Sequence, residues 1–364
     1  MNNGIPKYQW LAEWIKREIL DKKLLPGDKL YTENELANMF SLSRHTVRQA
    51  ISILENEGTV TRSRGSGTYI SSVRSSRPET KTIGVITTYI SDYIFPHIIQ
   101  GIDSCLMDNG YTMQLGITYN KPEVEAAVIK GLLERGVDGL IIEPSKSALP
   151  NTNSQLYMQI EKSGIPCVMI NGYYPGSSFP VVAPDDKDSG CRAVELAIQY
   201  GHKNIAGIFK SDDIQGHLRY LGYSEGLQKH FLSLKAENVL WYVTEDMNDI
   251  FSGAADSLVL KRLNDCSAVV CYNDQIAVML IELLKRNNID VPKDMSIVSF
   301  DDSSLSALVV PGLTTFAHPK EILGNEAALQ IINIINGKEP CTGKRFTPDL
   351  VQRSSLAEVP PSQV

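Results

Sequence analysis

Residues 29–70, KLYTENELANMFSLSRHTVRQAISILENEGTVTRSRGSGTYI, constrain the fold more than any other stretch of the chain. Two short amphipathic segments stand a tight turn apart, and a hairpin pattern follows at once. Thr32 and Glu35 have the T-x-x-E spacing of a capping box, in which each side chain satisfies the other's backbone N–H. A helix therefore starts at Thr32, with Leu36, Ala37 and Phe40 as its apolar face. Ser41-Leu42 makes the turn, and Ser43 is a suitable N-cap for a second helix. In that helix Val47, Ala50, Ile51 and Leu54 recur at helical spacing and face the core. Gly58 is placed to end it in the left-handed conformation. Thr59–Ser63 and Thr68–Ile70 pattern as paired strands, with Arg64-Gly65-Ser66-Gly67 as the tip. An earlier helix, Tyr8–Leu20, carries a core stripe of Leu11, Trp14, Ile15 and Ile19.

Helix, turn, helix and hairpin in this order make an α+β winged helix-turn-helix. Such a unit sets its second helix in a DNA groove and reads bases from that helix's N-terminal end. Arg44, His45 and Arg48 sit there, on the outer face, and are candidate readers; the plainer reading is a solvated helix face. Arg64 at the tip can enter a narrow minor groove, where the negative potential is strongest, or be an ordinary hairpin charge. Gly65, Ser66 and Gly67 let the backbone approach closely. Lys7 and Tyr8, at the start of the first helix, are candidates for phosphate contact. One reading helix per chain offers too little contact for site specificity, which predicts a homodimer on a two-fold-related site.

Charge separates this part from the rest. The whole chain of 364 residues carries −7. Residues 1–77 hold 12 Lys+Arg against 8 Asp+Glu, or +4, whereas the remainder holds 23 against 34, or −11. The nucleic-acid contact is thereby confined to the small N-terminal part, and the large part should repel DNA. Six cysteines, at 105, 167, 191, 266, 271 and 341, form no C-x-x-C and no His/Cys cluster. Reduced thiols in a cytoplasmic protein are the simplest account. No signal peptide or membrane-spanning run is expected, and no metal or cofactor.

The polar, serine-rich stretch 72–81 reads as a linker between a reading domain at 1–71 and a second domain at 82–360. From Thr82 strand and helix patterns alternate, which means parallel sheets with helices on both faces. About 280 residues suffice for two such lobes. Ligands of open α/β sheets bind beyond the carboxyl ends of the strands. The residues to inspect are therefore Tyr93, Phe95, Glu143, Asn171, Asp185, Arg219 at a helix start, Asn273, Asp301 and His318. Carboxylates, amides, a guanidinium and an aromatic ring suit a sugar, whose hydroxyls both donate and accept. The plainer reading is that strand-end Asp and Asn cap helices and turns.

Resemblance adds to this. Leu25-Pro26-Gly27-Asp28-Lys29-Leu30, Thr32–Ala37, Ser43–Ala50 and Gly65–Ile70 resemble the GntR family of winged-helix regulators. In that family the positions of Glu33, Ser43, Arg44, Thr46, Arg48 and Gly67 contact DNA; the usual proline after Leu30 is Tyr31 here. Thr82–Ile86, Val137–Ile142, Gly201–Ile205, Arg219–Tyr223, Cys271–Asp274 and Val291–Asp302 resemble the effector domain of the LacI/GalR family, a two-lobed, periplasmic-binding-protein-like fold of type I. There the positions of Asn171, Arg219, Asn273 and Asp301 contact the sugar, while His318 stands where glutamine is common. The pairing of the two types, with Thr87–Pro96 and Glu143–Ala148, is similar to repressors of arabinose operons. That resemblance implies L-arabinose as inducer; the residues alone stop at a small polar ligand.

An enzyme on the α/β lobes is the main rival. The chain has no G-x-S-x-G elbow, no phosphate-binding G-x-x-x-x-G-K-[ST] loop and no H-E-x-x-H. Asp185-Asp186 and Asp212-Asp213 are consecutive pairs and do not converge on one centre. A sugar carrier does not account for the DNA module. Activator and repressor remain open from sequence.

Overall fold

The capping box forms as written. Glu35 N donates to Thr32 Oγ1 at 3.2 Å and Thr32 N donates to Glu35 Oε2 at 2.7 Å, which starts the second helix of a computed structural model. The structure describes residues 6–20, 23–24, 27–56, 59–63, 66–70, 79–90, 93–338 and 342–359. Its two compact units divide between Thr80 and Lys81, except that Gln159–Gly164 group with the first. Most of the expected linker, residues 71–78, lies outside the described residues, as do Gly58, Arg64, Gly65 and Cys341.

The first unit contains α1 (Lys7–Leu20), α2 (Glu33–Phe40), α3 (Arg44–Asn56) and the antiparallel pair β1 (Val60–Ser63) and β2 (Gly67–Ile70). Val47, Ala50, Ile51 and Leu54 are buried, against Leu11, Ile15 and Leu36. Phe40 is half-buried and packs edge-to-face with Trp10 and Trp14. Residues 27–30 run along β2: Gly27 N donates to Ile70 O, Ile70 N to Asp28 O and Leu30 N to Thr68 O. The wing thus has a third edge that the hairpin pattern does not reveal. Gly67 belongs to β2 and not to the tip.

The second unit has β3 (Thr82–Thr87), β4 (Thr112–Ile117), β5 (Gly139–Ile142), β6 (Cys167–Ile170), β7 (Val181–Pro184), β8 (Ile205–Lys210), β9 (Val239–Tyr242), β10 (Ala268–Cys271), β11 (Ser296–Asp301), β12 (Thr314–Ala317), β13 (Lys344–Phe346) and β14 (Asp349–Val351). They form two six-stranded sheets, β13-β7-β6-β5-β3-β4 and β14-β12-β11-β10-β8-β9. Every pairing is parallel except β12 with β14. Along the chain lie α4 (Phe95–Asp108), α5 (Pro122–Glu134), α6 (Ser154–Lys162), α7 (Asp186–Gln199), α8 (Ile214–Lys229), α9 (Met247–Phe251), α10 (Asp256–Leu263), α11 (Asp274–Arg286), α12 (Ser304–Leu308) and α13 (Lys320–Ile335).

Each sheet is the centre of a lobe, and the chain crosses between lobes three times. After β7 it enters α7, which packs on α8 in lobe two; after β12 it enters α13, which packs on α4 in lobe one; it crosses again from β13 to β14. Both crossing helices press close to their partners. A Cβ on Gly222 of α8 would lie 1.9 Å from Lys187 O, and one on Gly324 of α13 would lie 2.2 Å from Ile98 O. Only glycine permits such backbone approach. The carboxyl ends of both parallel sheets face the crossings, where a ligand can touch both lobes.

Two further placements differ from expectation. Arg219 lies in the second turn of α8, because the helix begins at Ile214 and not at Arg219. Gly216 and His217 extend the helix toward β8 although they break the apolar pattern. Asp185 is the N-cap of α7: its Oδ1 accepts from Asp188 N at 3.0 Å.

Candidate functional site

On the first unit, α3 presents Arg44, His45 and Arg48 to solvent from its first two turns. Ser43 caps this helix: Thr46 N donates to Ser43 Oγ at 3.1 Å, and the two hydroxyls lie 2.8 Å apart. Arg44 and His45 are exposed and make no ion pair among the described residues. Arg48 is held: its Nη2 donates to Glu33 Oε2 at 3.0 Å. Arg62 of β1 also reaches Glu33, at 3.6 Å, so this carboxylate links α2, α3 and the wing. Lys7 is exposed, whereas Tyr8 is half-buried against the unit's core. Ser66 Oγ lies 2.5 Å from Tyr69 OH. The side chain of Lys29 crosses Gly67, with Cε 2.6 Å from where a Cβ would be.

In the second unit a cavity of about 240 Å³ opens between the lobes. That is below the range of drug-sized pockets and suits a small ligand. Tyr93, Phe95, Glu143, Arg219, Asn273 and Asp301 all line it, as the strand-end rule anticipated. Asn171, His318 and Asp185 do not. Asn171 and His318 form a chain behind Glu143: His318 Nε2–H donates to Asn171 Oδ1 at 2.9 Å, and Asn171 Nδ2 donates to Glu143 Oε1 at 2.8 Å. Thr88 N and Oγ1 donate to Glu143 Oε2 at 2.8 and 2.6 Å. Burial raises the Glu143 carboxyl above its usual range, and these donors pull it back. Burial pushes the His318 imidazole down to about 3, so it is neutral and its Nδ1 is a bare acceptor with no hydrogen-bond partner among the described residues.

Arg219 is the hub of lobe two. Its Nε donates to Asp186 Oδ1 at 2.8 Å, its Nη2 to Asp301 Oδ1 at 3.1 Å, and its Nη1 to the Tyr272 carbonyl. The guanidinium lies 4.6 Å from the Phe300 ring centroid, a cation–π contact. Asp186 is thus the acidic partner of Arg219, while its neighbour Asp185, a ligand candidate by sequence, caps α7 and does not line the cavity. Burial raises its carboxyl to about 6 against the pull of Arg219. Asp301 joins the lobes, since Tyr93 OH donates to its Oδ2 at 2.6 Å.

Asp301 has φ +100° and Asp302 φ +45°, a region that side chains rarely adopt. Asp274 braces this turn. Its buried carboxylate accepts from Ser303 N at 2.7 Å, Ser303 Oγ at 3.0 Å and Thr315 Oγ1 at 2.8 Å, and from the Ser299 hydroxyl. Burial raises it to about 6, with the Asp301 charge adding to the rise.

Sequence reasoning missed several walls of the cavity: Thr88, Tyr89, Lys210, Asp213, Gln215, Tyr242, Thr244 and Tyr272. Lys210 could have been found, because a lysine that ends the apolar run IAGIF stands at a strand's carboxyl end. Burial would lower its ammonium, but Asp213 and Asp212 outweigh this and hold it above the ordinary lysine value. Tyr242 ends β9 and Thr244 stands two residues beyond it; the VLWY run is only four residues long and gives a weak local strand signal.

Among the described residues no group of His, Cys, Asp and Glu could hold a metal ion, and no helix is long and apolar enough to cross a membrane. Among the described residues five cysteines are free, and four of these are buried.

Residues 7–70 match bacterial regulatory proteins of the gntR family, and residues 194–356 match a periplasmic binding protein-like domain. The chain is 39% identical to the arabinose metabolism transcriptional repressor of Geobacillus stearothermophilus, over 98% of this chain and 99% of that protein. It is 37% identical to the protein of the same name from Halalkalibacterium halodurans, over 97% of each. Among solved structures, a transcriptional regulator CelR–cellobiose complex superimposes with TM-score 0.68 at 21% identity, over 86% of this chain and 90% of that one. The transcription regulator CcpA of Lactococcus lactis superimposes with TM-score 0.67 at 24% identity, over 76% and 98%. These likenesses establish the two-lobed fold.

Proposed function

The chain belongs to the family of arabinose metabolism transcriptional repressors, and from that premise we propose that L-arabinose, bound between the lobes, releases it from operator DNA. It is a DNA-binding regulator and not an enzyme. The observation that carries the proposal is a small cavity into which both lobes bring polar side chains: Tyr93 and Glu143 from one, Arg219, Asn273 and Asp301 from the other. A ligand touching both walls favours one arrangement of the lobes. It shifts the DNA-binding state only by its differential affinity for the two arrangements. Coupling of this kind is typically about 1–3 kcal/mol and is reciprocal, so operator DNA weakens the sugar by the same factor.

In this reading the protein acts as a homodimer in the cytoplasm. Ser43, Arg44, His45, Thr46 and Arg48 meet base edges and phosphates. Lys7 and the wing residues Arg64–Gly67 add backbone contacts. Glu33 orients Arg48 and Arg62 while facing the groove. Asn171 and His318 act behind the wall, through Glu143.

Operator affinity measured with and without L-arabinose tests the proposal. Loss of affinity on adding the sugar is expected. Release by another sugar of a pentose and hexose panel, with no response to L-arabinose, would overturn the inducer. Tighter operator binding with sugar would make the protein a sugar-activated binder.

A further inference from the structure

Lys210, at the end of β8, and Asp213, at the N-cap of α8, face the cavity together. Lys210 is 8% exposed. Its Nζ lies 2.5 Å from Asp213 Oδ2 and 3.7 Å from Asp212 Oδ1. Asp212 is fully buried. Its Oδ2 accepts from Thr244 N at 3.0 Å and from Thr244 Oγ1 at 2.6 Å, while its Oδ1 has no hydrogen-bond partner among the described residues. One ammonium therefore serves two carboxylates, and one of their buried oxygens is left wanting a donor, which is costly. The spacing is held by α8: a Cβ on Gly216 would fall 1.9 Å from Lys210 O, so the first turn of the helix lies directly on the end of β8.

We propose that Lys210 and Asp213 form a subsite that reads a pair of neighbouring hydroxyls on an uncharged sugar. Asp212 Oδ1 is the acceptor to which the ammonium turns when a sugar hydroxyl takes Asp213. This deepens the sugar reading of the cavity and rests on it. A hydroxyl fits the pair because it accepts from the ammonium and donates to the carboxylate. An anion does not fit. Both cations of the wall are already paired, Lys210 with Asp213 and Arg219 with Asp186 and Asp301, and Glu143 adds a further carboxylate. A phosphate or sugar acid would meet carboxylates with no spare cation.

The subsite also reaches lobe one. Asn120 Nδ2 donates to Thr244 Oγ1 at 2.8 Å and lies 3.4 Å from Asp213 Oδ1, while Asn120 Oδ1 accepts from Lys146 N at 2.7 Å. A sugar on Asp213 thus acts on a residue that already touches the opposite lobe.

Calorimetry on the full chain with L-arabinose, L-ribose, L-lyxose and D-xylose tests this, since the last three each invert one hydroxyl of the first. D-arabinose 5-phosphate is the anionic probe. Wild type is expected to rank the epimers and to ignore the phosphate. Asp213→Asn should weaken the preferred pentose at least about tenfold, the effect of losing a hydrogen bond to a charged group, and should flatten the ranking. A structural role alone would lower affinity without changing the ranking. Should Asp213→Asn fail to fold, K210M/D213N removes one charge of each sign and carries the same expectation. Wild type that binds no pentose overturns the sugar reading and this subsite with it. Wild type that ranks the epimers, beside a variant with unchanged affinity and ranking, overturns the subsite alone. Tighter binding of the phosphate than of any pentose overturns the uncharged-ligand assignment.

Discussion

The reading unit and the sensing unit handle charge in opposite ways. In the first, Arg44, His45 and Arg48 stand in solvent on α3, and the Arg48–Glu33 pair is exposed. In the second, Arg219 is buried between Asp186 and Asp301, and Lys210 is nearly buried beside Asp213. An exposed pair is worth little to stability and leaves its arginine free to exchange partners. A buried pair is a commitment: its loss strands an uncompensated charge. The first arrangement suits a surface that must trade partners with phosphates and bases. The second suits a pocket that must keep one geometry until a neutral ligand arrives.

Substitutions can break this contrast. Arg219→Ala is expected to have the largest effect. It strands Asp186 and Asp301 in the lobe-two wall, and removing one partner of a buried pair typically costs about 3–5 kcal/mol. L-Arabinose should then no longer change operator affinity, while the reading unit still binds operator. Titration of operator with and without sugar checks both; retained release would sink the role of Arg219.

Asp274 tests the buried side of the contrast by pH. Its carboxyl is raised to about 6 in the folded protein from 3.8. A raised carboxyl contributes stability that is full below pH ~4 and is lost as pH rises through ~6. Wild type should therefore gain on Asp274→Asn between pH 7 and pH 4, by at most about 3 kcal/mol. Chemical denaturation of both proteins at the two pH values measures it. A difference that does not change with pH would mean that Asp274 titrates as an ordinary carboxylate.

Arg44→Ala sharpens the exposed side. Losing a bidentate base contact costs about 1–3 kcal/mol and relaxes base preference at one position. Folding stability should hardly change, because Arg44 is exposed and unpaired among the described residues. Equal affinity and selectivity in the variant would remove α3 as the reading helix.

Thr32→Ala gives the smallest effect. It opens the capping box of α2 and costs about 1 kcal/mol of stability. Thermal unfolding of the variant should show a loss confined to the reading unit, with sugar affinity unmoved. A matching loss of sugar affinity would mean that the two units are not separable in this way.

Much of the reading unit could be written down from the chain alone. Thr32 and Glu35 cap one helix, Ser43 caps the next, and Val47, Ala50, Ile51 and Leu54 are buried as their spacing required. These are interactions within a few residues, so a local pattern carries them. Alternating strands and helices likewise announced parallel sheets, and the strand-end rule brought Tyr93, Phe95, Glu143, Arg219, Asn273 and Asp301 to one cavity. Local pattern failed where contacts cross the chain. Residues 27–30 join the wing through β2, forty residues on. Asp185, a ligand candidate by sequence, is spent on capping α7, while its neighbour Asp186, which the sequence does not single out, pairs with Arg219.

The sequence by itself determined the helices and hairpin of the reading unit, the strand–helix alternation of the second unit, where charge concentrates, and which residue types end up at strand ends. Only the tertiary structure decided that Tyr93 meets Asp301, that a hydrogen-bond chain links His318 through Asn171 to Glu143, and that Lys210 and Asp213 share a cavity wall with Tyr93, Glu143 and Asp301. The physical reason is distance along the chain. Periodicity and capping are set by neighbours three or four residues apart, whereas three crossings between lobes bring together side chains up to 208 positions apart, and no local rule encodes that register.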